Sequence, residues 1–407
     1  MSASQAAGAG VLSEPMDPLN RIATIPELLA ARVAAQADDE GLVIDGRRLT
    51  WREVAAATAR VAGGLHGLGV RAGDHIGICM GNSVEWVLTW FAAAHLGAAI
   101  VALNTRWKDD ESAWAVDYAD VKVLVFAGRL LSADLLGMAA RTRPALPKVA
   151  HWVMVDADAD AHTKDQRGHP RHPEWALPFA SLDGVPPPSA ALPSSTTLIQ
   201  FTSGSTARPK GVMLTQAGML ANARGSAGAL GLRRGDRYFS RRPFFHVAGS
   251  TGGILRTLAT GACLISTPTF DDASALDLLR REGCQLVAGN DAMFLKMLAS
   301  LDADGGGTAG LKLRGGQAAA GQPAARPPRG GRGPGGGVAR RPARRCARRL
   351  RRAEARRDGH ARGPDQMEPA AHRQLQGAAP DRHRRQLRRC HDRQRQAAEK
   401  PVARAGR

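Results

Sequence analysis

The chain has few cysteines and no pattern that pairs them. Its five cysteines are odd in number, and none has the Cys-x-x-Cys spacing of a redox or zinc motif. They are Cys79, Cys263, Cys284, Cys346 and Cys390. This pattern fits a reducing, cytoplasmic compartment, and we expect Cys79 and Cys263 to be small core residues. The cysteines therefore predict no metal site.

We also expect neither a leader nor a membrane span in this sequence. Residues 1–19 have no basic segment before an apolar run, so we predict a flexible N-terminus without a signal peptide. The segment 84–103 has the length and apolar character of a membrane-spanning helix, but it includes Glu85 and Gly97. We predict instead a buried helix, a stop at Gly97 and a buried strand at 98–103.

The C-terminal part lacks the residues that build a core. Residues 315–407 contain no Phe, Trp, Tyr or Ile, and only three Leu and two Val. They cannot bury enough apolar surface to offset the entropy of ordering their backbone, so we predict a disordered tail rich in Arg, Gly, Pro and Ala. The tail holds 25 Lys and Arg against 7 Asp and Glu, a net charge of +18, whereas residues 1–314 carry +1. The globular part is therefore predicted at residues 20–314.

Two interpretations of the tail compete. A genuine basic arm would bind nucleic acid or an anionic surface by neutralising phosphates. Such arms usually combine lysine with arginine and carry aromatic residues for stacking, but this tail has a single lysine, Lys400, and no aromatic residue. Its mixture of Arg, Ala, Gly, Pro and Gln resembles a GC-rich coding sequence read in the wrong frame. We favour a frame error and keep the nucleic-acid or surface binder as the alternative.

The globular part alternates helix-like and strand-like segments. Thr24 with Glu27, and Thr50 with Glu53, have the spacing of capping boxes, and Asp45-Gly46 between them is typical of a hairpin turn. The later predicted strands are 75–80, 98–103, 121–126, 149–155, 197–201, 237–241, 262–265 and 285–288. The later predicted helices are 109–119, 131–142, 215–230, 251–260, 273–282 and 292–301. This alternation predicts an α/β fold of layered, mostly parallel sheets with flanking helices.

One long segment interrupts the alternation. Residues 156–193 are rich in Asp, His and Pro, and we predict a surface loop or linker there. His162, His169 and His172 lie within it, but their spacing fits no known metal cluster. We therefore predict solvated histidines rather than a metal site.

Residues 200–211, Gln-Phe-Thr-Ser-Gly-Ser-Thr-Ala-Arg-Pro-Lys-Gly, are the most informative segment. A strand-like run leads into glycines and small hydroxyl residues, whose N–H and O–H groups can donate to phosphate oxygens, and Lys210 adds a charge. It is not a Walker A loop, because Gly211 rather than Ser or Thr follows Lys210. The alternative is an ordinary Ser/Gly turn between a strand and a helix. The residues predicted to bind phosphate are Thr202, Ser203, Gly204, Ser205, Thr206, Lys210 and Gly211.

This segment resembles the phosphate loop of adenylate-forming enzymes, which include acyl-CoA synthetases, luciferases and peptide adenylation domains. The family usually has glycine where Ala207 stands. Residues 97–106, ending in Leu-Asn-Thr-Arg, and residues 243–249, Pro-Phe-Phe-His-Val-Ala-Gly, are similar to further motifs of acyl-CoA synthetases. The resemblance covers residues 20–313 and ends near Arg314.

The resemblance implies an enzyme that uses ATP and Mg²⁺ to join a carboxylic acid to coenzyme A through an acyl-adenylate. The loop would hold the β- and γ-phosphates of ATP. Phe245 would shape the wall of the acyl pocket, and neutral His246 would donate a hydrogen bond toward the carboxylate. The alternative for His246 is a satisfied core residue at a strand–helix junction.

Several parts of the family's machinery are not recognisable in this chain. We find no Tyr-Gly-x-Thr-Glu segment for adenine and Mg²⁺, no Thr-Gly-Asp for the ribose, and no lid domain with its adenylation lysine. We therefore predict a truncated or frame-shifted ligase that does not complete adenylation. The alternatives are the basic-tail binder and an adenylation domain that serves a carrier protein. The sequence predicts neither the acid nor the oligomeric state.

Overall fold

A computed structural model of the chain describes residues 18–155, 173–202, 209–268, 272–289, 291–303, 311–313 and 315–317. Residues 1–17, 156–172 and 318–407 lie outside this description. The flexible N-terminus, the three solvated histidines and the disordered, frame-shifted tail therefore stay predictions. Gly315–Gln317 is described as a strand and lies just beyond the boundary at 314 that composition suggested.

Thirteen strands form two sheets in the described residues. They are β1 (Glu40–Ile44), β2 (Arg47–Thr50), β3 (His75–Cys79), β4 (Ala99–Ala102), β5 (Val121–Ala127), β6 (His151–Val155), β7 (Leu177–Pro178), β8 (Thr196–Thr202), β9 (Lys210–Thr215), β10 (Arg237–Ser240), β11 (Cys263–Ser266), β12 (Leu286–Ala288) and β13 (Gly315–Gln317). The six-stranded sheet has the order β13-β12-β10-β11-β1-β2, and the seven-stranded sheet has the order β7-β6-β5-β3-β4-β8-β9. Neighbouring strands are parallel except β1 with β2 and β8 with β9. This confirms the predicted layered, mostly parallel fold.

Helices connect most of these strands. They are α1 (Ile25–Gln36), α2 (Trp51–Gly67), α3 (Val84–His95), α4 (Asp109–Tyr118), α5 (Leu135–Thr142), α6 (Gln216–Leu230), α7 (Val247–Gly249), α8 (Arg256–Thr260), α9 (Asp272–Arg281) and α10 (Asp291–Ala303). A π-helical turn (Ser250–Leu255) joins α7 to α8.

Sheets and helices stack in five layers. The central cluster joins α1, α2, α3, α6 and α8 to one face of each sheet, and it contains the fully buried Trp86 and Trp90. On the outer face of the seven-stranded sheet, a second cluster includes Leu135 of α5 and residues of α4. On the outer face of the six-stranded sheet, a third cluster includes Leu276 of α9 and residues of α10. Strands buried on both faces explain why their sequences are continuous apolar runs.

Local chemistry sets several boundaries as predicted. The Thr50 hydroxyl accepts from the Glu53 N–H at 3.3 Å, and the Glu53 carboxylate accepts from the Thr50 N–H at 2.8 Å, so the capping box of α2 is formed. Asp45 and Gly46, with φ of 52° and 78°, make the hairpin turn between β1 and β2. Gly97 follows α3 with φ of 69° and ends the helix.

One predicted side-chain cap and one predicted helix start differ from the structure. The Thr24 side chain does not cap α1, because its hydroxyl donates to the Glu27 carboxylate at 2.7 Å instead. Helix α5 begins at Leu135 rather than at Leu131, because Leu131 adopts a positive φ of 54°. Asp134 then caps α5 by accepting from the Gly137 N–H at 2.8 Å.

The two predicted core cysteines are buried. Cys79 is 0% exposed and Cys263 is 4% exposed. Burial raises the pKa of each thiol to about 12, so both thiols stay protonated near pH 7. In the described part of the chain, none of the helices combines the length and apolarity needed to cross a bilayer.

Candidate functional site

A hairpin carries the predicted phosphate loop. β8 ends at Thr202 and β9 begins at Lys210, and these two residues face each other in the antiparallel register. The Thr202 hydroxyl donates to the Lys210 carbonyl at 3.4 Å, and both residues are exposed. The rest of the predicted loop lies outside the described residues, namely Ser203, Gly204, Ser205 and Thr206. The roles of these four residues stay predictions.

Strand β9 is a feature that the sequence did not predict. Lys210 and Gly211 were expected to close a loop, but they are the first residues of β9. Gly211 does not adopt a positive φ. There is little room for a side chain at Gly211, because a Cβ there would lie 3.2 Å from Ile199 Cγ2 and 3.6 Å from Phe201 Cε1.

The open end of this hairpin lies at the carboxyl edge of the seven-stranded sheet. β3, β4 and β8 are successive parallel strands, so their carboxyl ends share one edge. With neighbouring strands about 4.8 Å apart, the end of β8 lies about 10 Å from the end of β3. Open parallel sheets bind their ligands at this edge.

A second loop, after β10, carries Phe245 and His246. The preceding Phe244 is 1% exposed, and its ring packs edge-on against Trp86 with centroids 5.6 Å apart. Phe245 is half-buried against the central cluster. His246 is exposed and caps α7, because its Nδ1 accepts from the Ala248 N–H at 3.1 Å. His246 is therefore not an enclosed core residue.

The charge of Arg242 acts on the His246 ring. Although His246 is exposed as a residue, partial desolvation of its ring by neighbouring protein atoms lowers its pKa below the usual 6.5, and the charge of Arg242 lowers it further. Burial lowers the pKa of Arg241 to about 10, and it also lowers the pKa of Arg242, to which the charge of Arg256 contributes. A neutral imidazole near the guanidinium group of Arg242 favours a carboxylate or phosphate ligand.

Sequence reasoning missed the role of Asn82, which links the ends of the two sheets by hydrogen bonds. Asn82 follows β3, and its Nδ2 donates to the Arg242 carbonyl at 3.1 Å. Its Oδ1 accepts from the Phe244 N–H at 2.8 Å. The contact spans 162 residues of sequence, so no local pattern could have revealed it.

The helix after His246 also differs from the prediction at 251–260. It begins at Val247 and continues through the π-helical turn Ser250–Leu255 into α8. Such turns are uncommon and recur at functional sites. Gly249 allows the helix start to pack directly on the His246 loop, because a Cβ there would lie 2.1 Å from the Pro243 carbonyl oxygen.

Comparison with known proteins places this architecture in a family. Residues 29–328 match the model of the AMP-binding enzyme family. The chain is 35% identical over 281 residues to 3-[(3aS,4S,7aS)-7a-methyl-1,5-dioxo-octahydro-1H-inden-4-yl]propanoyl:CoA ligase of Mycobacterium tuberculosis, covering 69% of this chain and 54% of that protein. It is 26% identical over 286 residues to 2-succinylbenzoate–CoA ligase of Bacillus cereus, covering 69% and 51%. The chain thus spans about half the length of these curated relatives.

Solved structures have the same fold. The anthranilate CoA ligase AuaEII in complex with anthranoyl-AMP superposes with a TM-score of 0.64 at 23% identity, covering 73% of this chain and 55% of that chain. A Mycobacterium tuberculosis fatty acyl CoA synthetase superposes with a TM-score of 0.57 at 24% identity, covering 74% and 55%. The family match confirms the resemblance to adenylate-forming enzymes: this chain belongs to the AMP-binding enzyme family, whose members similar to it are acyl-CoA ligases.

Proposed function

We propose that this chain carries the phosphate-binding and acyl-binding half of an ATP-dependent, AMP-forming acyl-CoA ligase. The observation that carries the proposal is the β8–β9 hairpin, which presents Thr202 and Lys210 to solvent at the carboxyl edge of a parallel sheet. That edge is the same one that Asn82 ties to the His246 loop. A nucleotide and a carboxylic acid could therefore meet there.

The hairpin would bind the outer phosphates of ATP. Hydroxyl and backbone N–H groups of residues 202–206 would donate to the phosphate oxygens, and Lys210 would add a positive charge on a flexible side chain. These contacts would stabilise pyrophosphate as it leaves the α-phosphorus. Mg²⁺ would add charge neutralisation when it binds with the phosphates, and the exposed Thr202 hydroxyl is an oxygen donor that suits it.

The His246 loop would hold the carboxylate that attacks ATP. Because Nδ1 of His246 accepts from the Ala248 N–H, the proton of the neutral ring is on Nε2. Nε2–H would donate to one carboxylate oxygen and leave the other to attack the α-phosphorus. Phe245 would form part of the wall against the acyl group. Coenzyme A would then displace AMP from the acyl-adenylate, as in the acyl-CoA ligases that resemble this chain.

We also propose that this chain binds its substrates without completing the reaction. The proposal rests on the family's adenine and ribose motifs, which are not recognisable among the residues of this chain. The hypotheses of a basic-tail binder and of a carrier-protein adenylation domain stay open predictions, and the tail lies almost entirely outside the described residues.

Two measurements on the full chain test these proposals. Calorimetric titration with ATP and Mg²⁺, and with a non-reactive acyl-sulfamoyl adenosine, should give saturable binding. ATP-dependent pyrophosphate release with a panel of fatty and aromatic acids should stay at background. A folded chain that binds neither nucleotide would overturn the ligase proposal, whereas robust pyrophosphate release would overturn only the proposed incompleteness.

A further inference from the structure

Asn82 is a buried amide whose hydrogen bonds reach the backbone of the His246 loop. It is 5% exposed, in the turn between β3 and α3. Its Nδ2 lies 3.1 Å from the Arg242 carbonyl and 3.1 Å from Ser266 Oγ, and its Oδ1 lies 2.8 Å from the Phe244 nitrogen. One side chain thus binds the loop backbone on both sides of Pro243.

Other contacts hold the start of the same loop. The Ser266 hydroxyl donates to the Ser240 carbonyl at 2.7 Å, which fixes the end of β10. Arg242 Nη2 donates to the Gly289 carbonyl at 3.0 Å, beyond the end of β12. These contacts hold the loop up to Arg242. Phe244, whose backbone N–H donates to Asn82, lies two residues before His246.

Few residues and hydrogen bonds separate the Phe244–Asn82 bond from the His246 ring. Only Phe245 separates Phe244 from His246, and the His246 N–H donates to the Pro243 carbonyl at 3.0 Å. Ring Nδ1 then accepts from the Ala248 N–H at 3.1 Å. An Nδ1 that accepts carries no proton, so the neutral ring is held as the tautomer with its proton on Nε2.

We infer that Asn82 is the positioning residue of His246: by fixing the backbone from Arg242 to Phe244, it holds Nδ1 against the Ala248 N–H and so keeps Nε2–H as the donor. The inference rests on the proposed function only where it takes a substrate carboxylate as the acceptor of that donor. The coupling between the amide and the ring is a property of the chain without ligand. Loss of the Asn82 amide would let the loop shift and the ring populate both tautomers.

Nuclear magnetic resonance of the histidine ring tests this coupling. The full chain, labelled with ¹⁵N-histidine, is measured at pH 8.5, where the ring is neutral and its two nitrogen signals report the tautomer alone. The His246→Gln variant assigns those signals. In the parent chain, the Nδ1 and Nε2 signals should be widely separated, and in Asn82→Ala they should converge.

Two control variants separate positioning from general stability. Ser266→Ala removes one partner of Asn82 but leaves both bonds to the loop backbone, so the His246 signals should keep their separation. Thr142→Val removes a buried hydroxyl that donates to the Met138 carbonyl at 2.9 Å in α5, far from this loop in the fold. It should lower the melting temperature without moving the His246 signals.

The outcome does not depend on whether the chain binds an acid. Unchanged His246 signals in a folded Asn82→Ala chain would overturn the inference. Should the alanine variant not fold, Asn82→Asp keeps the acceptor for Phe244 and loses both donors, so a partial convergence is expected and an unmoved ring again overturns the inference. Converged signals with unchanged affinity for the acyl-sulfamoyl adenosine would support the positioning role and contradict the proposed contact between Nε2–H and the carboxylate.

Discussion

Thr202 and Lys210 face each other at the open end of the β8–β9 hairpin, where the Thr202 hydroxyl donates to the Lys210 carbonyl. This backbone pairing fixes where the Lys210 side chain starts, while the side chain itself is exposed. Lys210 can thus contribute to ligand binding without contributing to the core.

Replacing Lys210 should therefore weaken nucleotide binding and leave stability unchanged. Lys210→Ala should raise the Kd for ATP and Mg²⁺ about tenfold, since a charged hydrogen bond to phosphate is worth roughly 1.5 kcal/mol. Calorimetry measures the affinity, and the melting temperature checks the fold. Lys296 is an exposed lysine on α10 and offers a matched control, Lys296→Ala. Equal losses in the two variants would contradict the assignment of the loop.

Replacing each of two glycines near the His246 loop by alanine should change the unfolding free energy by very different amounts. A Cβ at Gly249 would lie 2.1 Å from the Pro243 carbonyl oxygen, so Gly249→Ala should cost about 3 kcal/mol of unfolding free energy. At Gly253 the nearest atom, Ser240 Oγ, lies 3.5 Å away, so Gly253→Ala should stay within about 0.5 kcal/mol of the parent chain. Urea unfolding measures both values. Similar costs in the two variants would show that the helix start does not pack on the loop as described.

The buried carboxylate of Glu282, which pairs with Arg48 and Arg237 and lies 3.7 Å from Arg281, should stabilise the six-stranded sheet. Glu282 is 3% exposed in its side chain and bonds Arg48 at 2.6 Å and also Arg237, while Arg237 bonds Glu40 at 2.6 Å. Glu282→Gln should cost about 2 kcal/mol, which allows for solvent screening at the half-exposed Arg48. Urea unfolding gives this value.

The pair of the half-buried Arg280 with the exposed Asp277 is the control for Glu282. Its oxygen and nitrogen lie 3.5 Å apart, and the Asp277 side chain is 75% exposed. Asp277→Asn should change the unfolding free energy by no more than about 0.5 kcal/mol. A cost for Glu282→Gln as small as this one would contradict the stabilising role of the buried carboxylate.

His246 should make stability depend on pH just below neutrality. Burial and Arg242 lower the pKa of His246 in the folded chain below 6.5, so the unfolded chain binds a proton first as the pH falls. The contribution of His246 to the unfolding free energy is therefore fully present above pH 6.5 and is lost as the pH falls through the folded-state pKa. Urea unfolding between pH 7.5 and pH 5 should give a steeper decline for the parent chain than for His246→Gln. Identical slopes would contradict the lowered pKa.

The sequence predicted those features that depend on neighbouring residues. The turn at Asp45 and Gly46, the cap at Thr50 and the helix stop at Gly97 follow from backbone sterics and short-range hydrogen bonds. The alternation of apolar segments also predicted the layered, mostly parallel sheets. Thr24 shows the limit of this reasoning. Its hydroxyl donates to the Glu27 carboxylate and does not form the cap hydrogen bond that the spacing predicted.

The features that the sequence did not predict depend on contacts between distant segments of the chain. Asn82 and Phe244 are 162 residues apart, and nothing in the sequence around either residue indicates the bond between them. Strand β9 was missed because Lys210 and Gly211 belong to the loop motif and to the strand at once. His246 was predicted as a pocket residue by resemblance alone; its exposure and its role as a cap required coordinates.

Strand β1 has a parallel neighbour that is synthesised much later. Leu42 in β1 pairs with Leu264 in β11, so about 220 further residues must leave the ribosome before this pairing can form. Every strand of the seven-stranded sheet appears in that interval. Such distant pairing is slow to form, and the nascent β1–β2 hairpin keeps an open edge meanwhile. The order of translation therefore supplies every strand of the seven-stranded sheet before β11, and leaves the parallel pairing of β1 until after them.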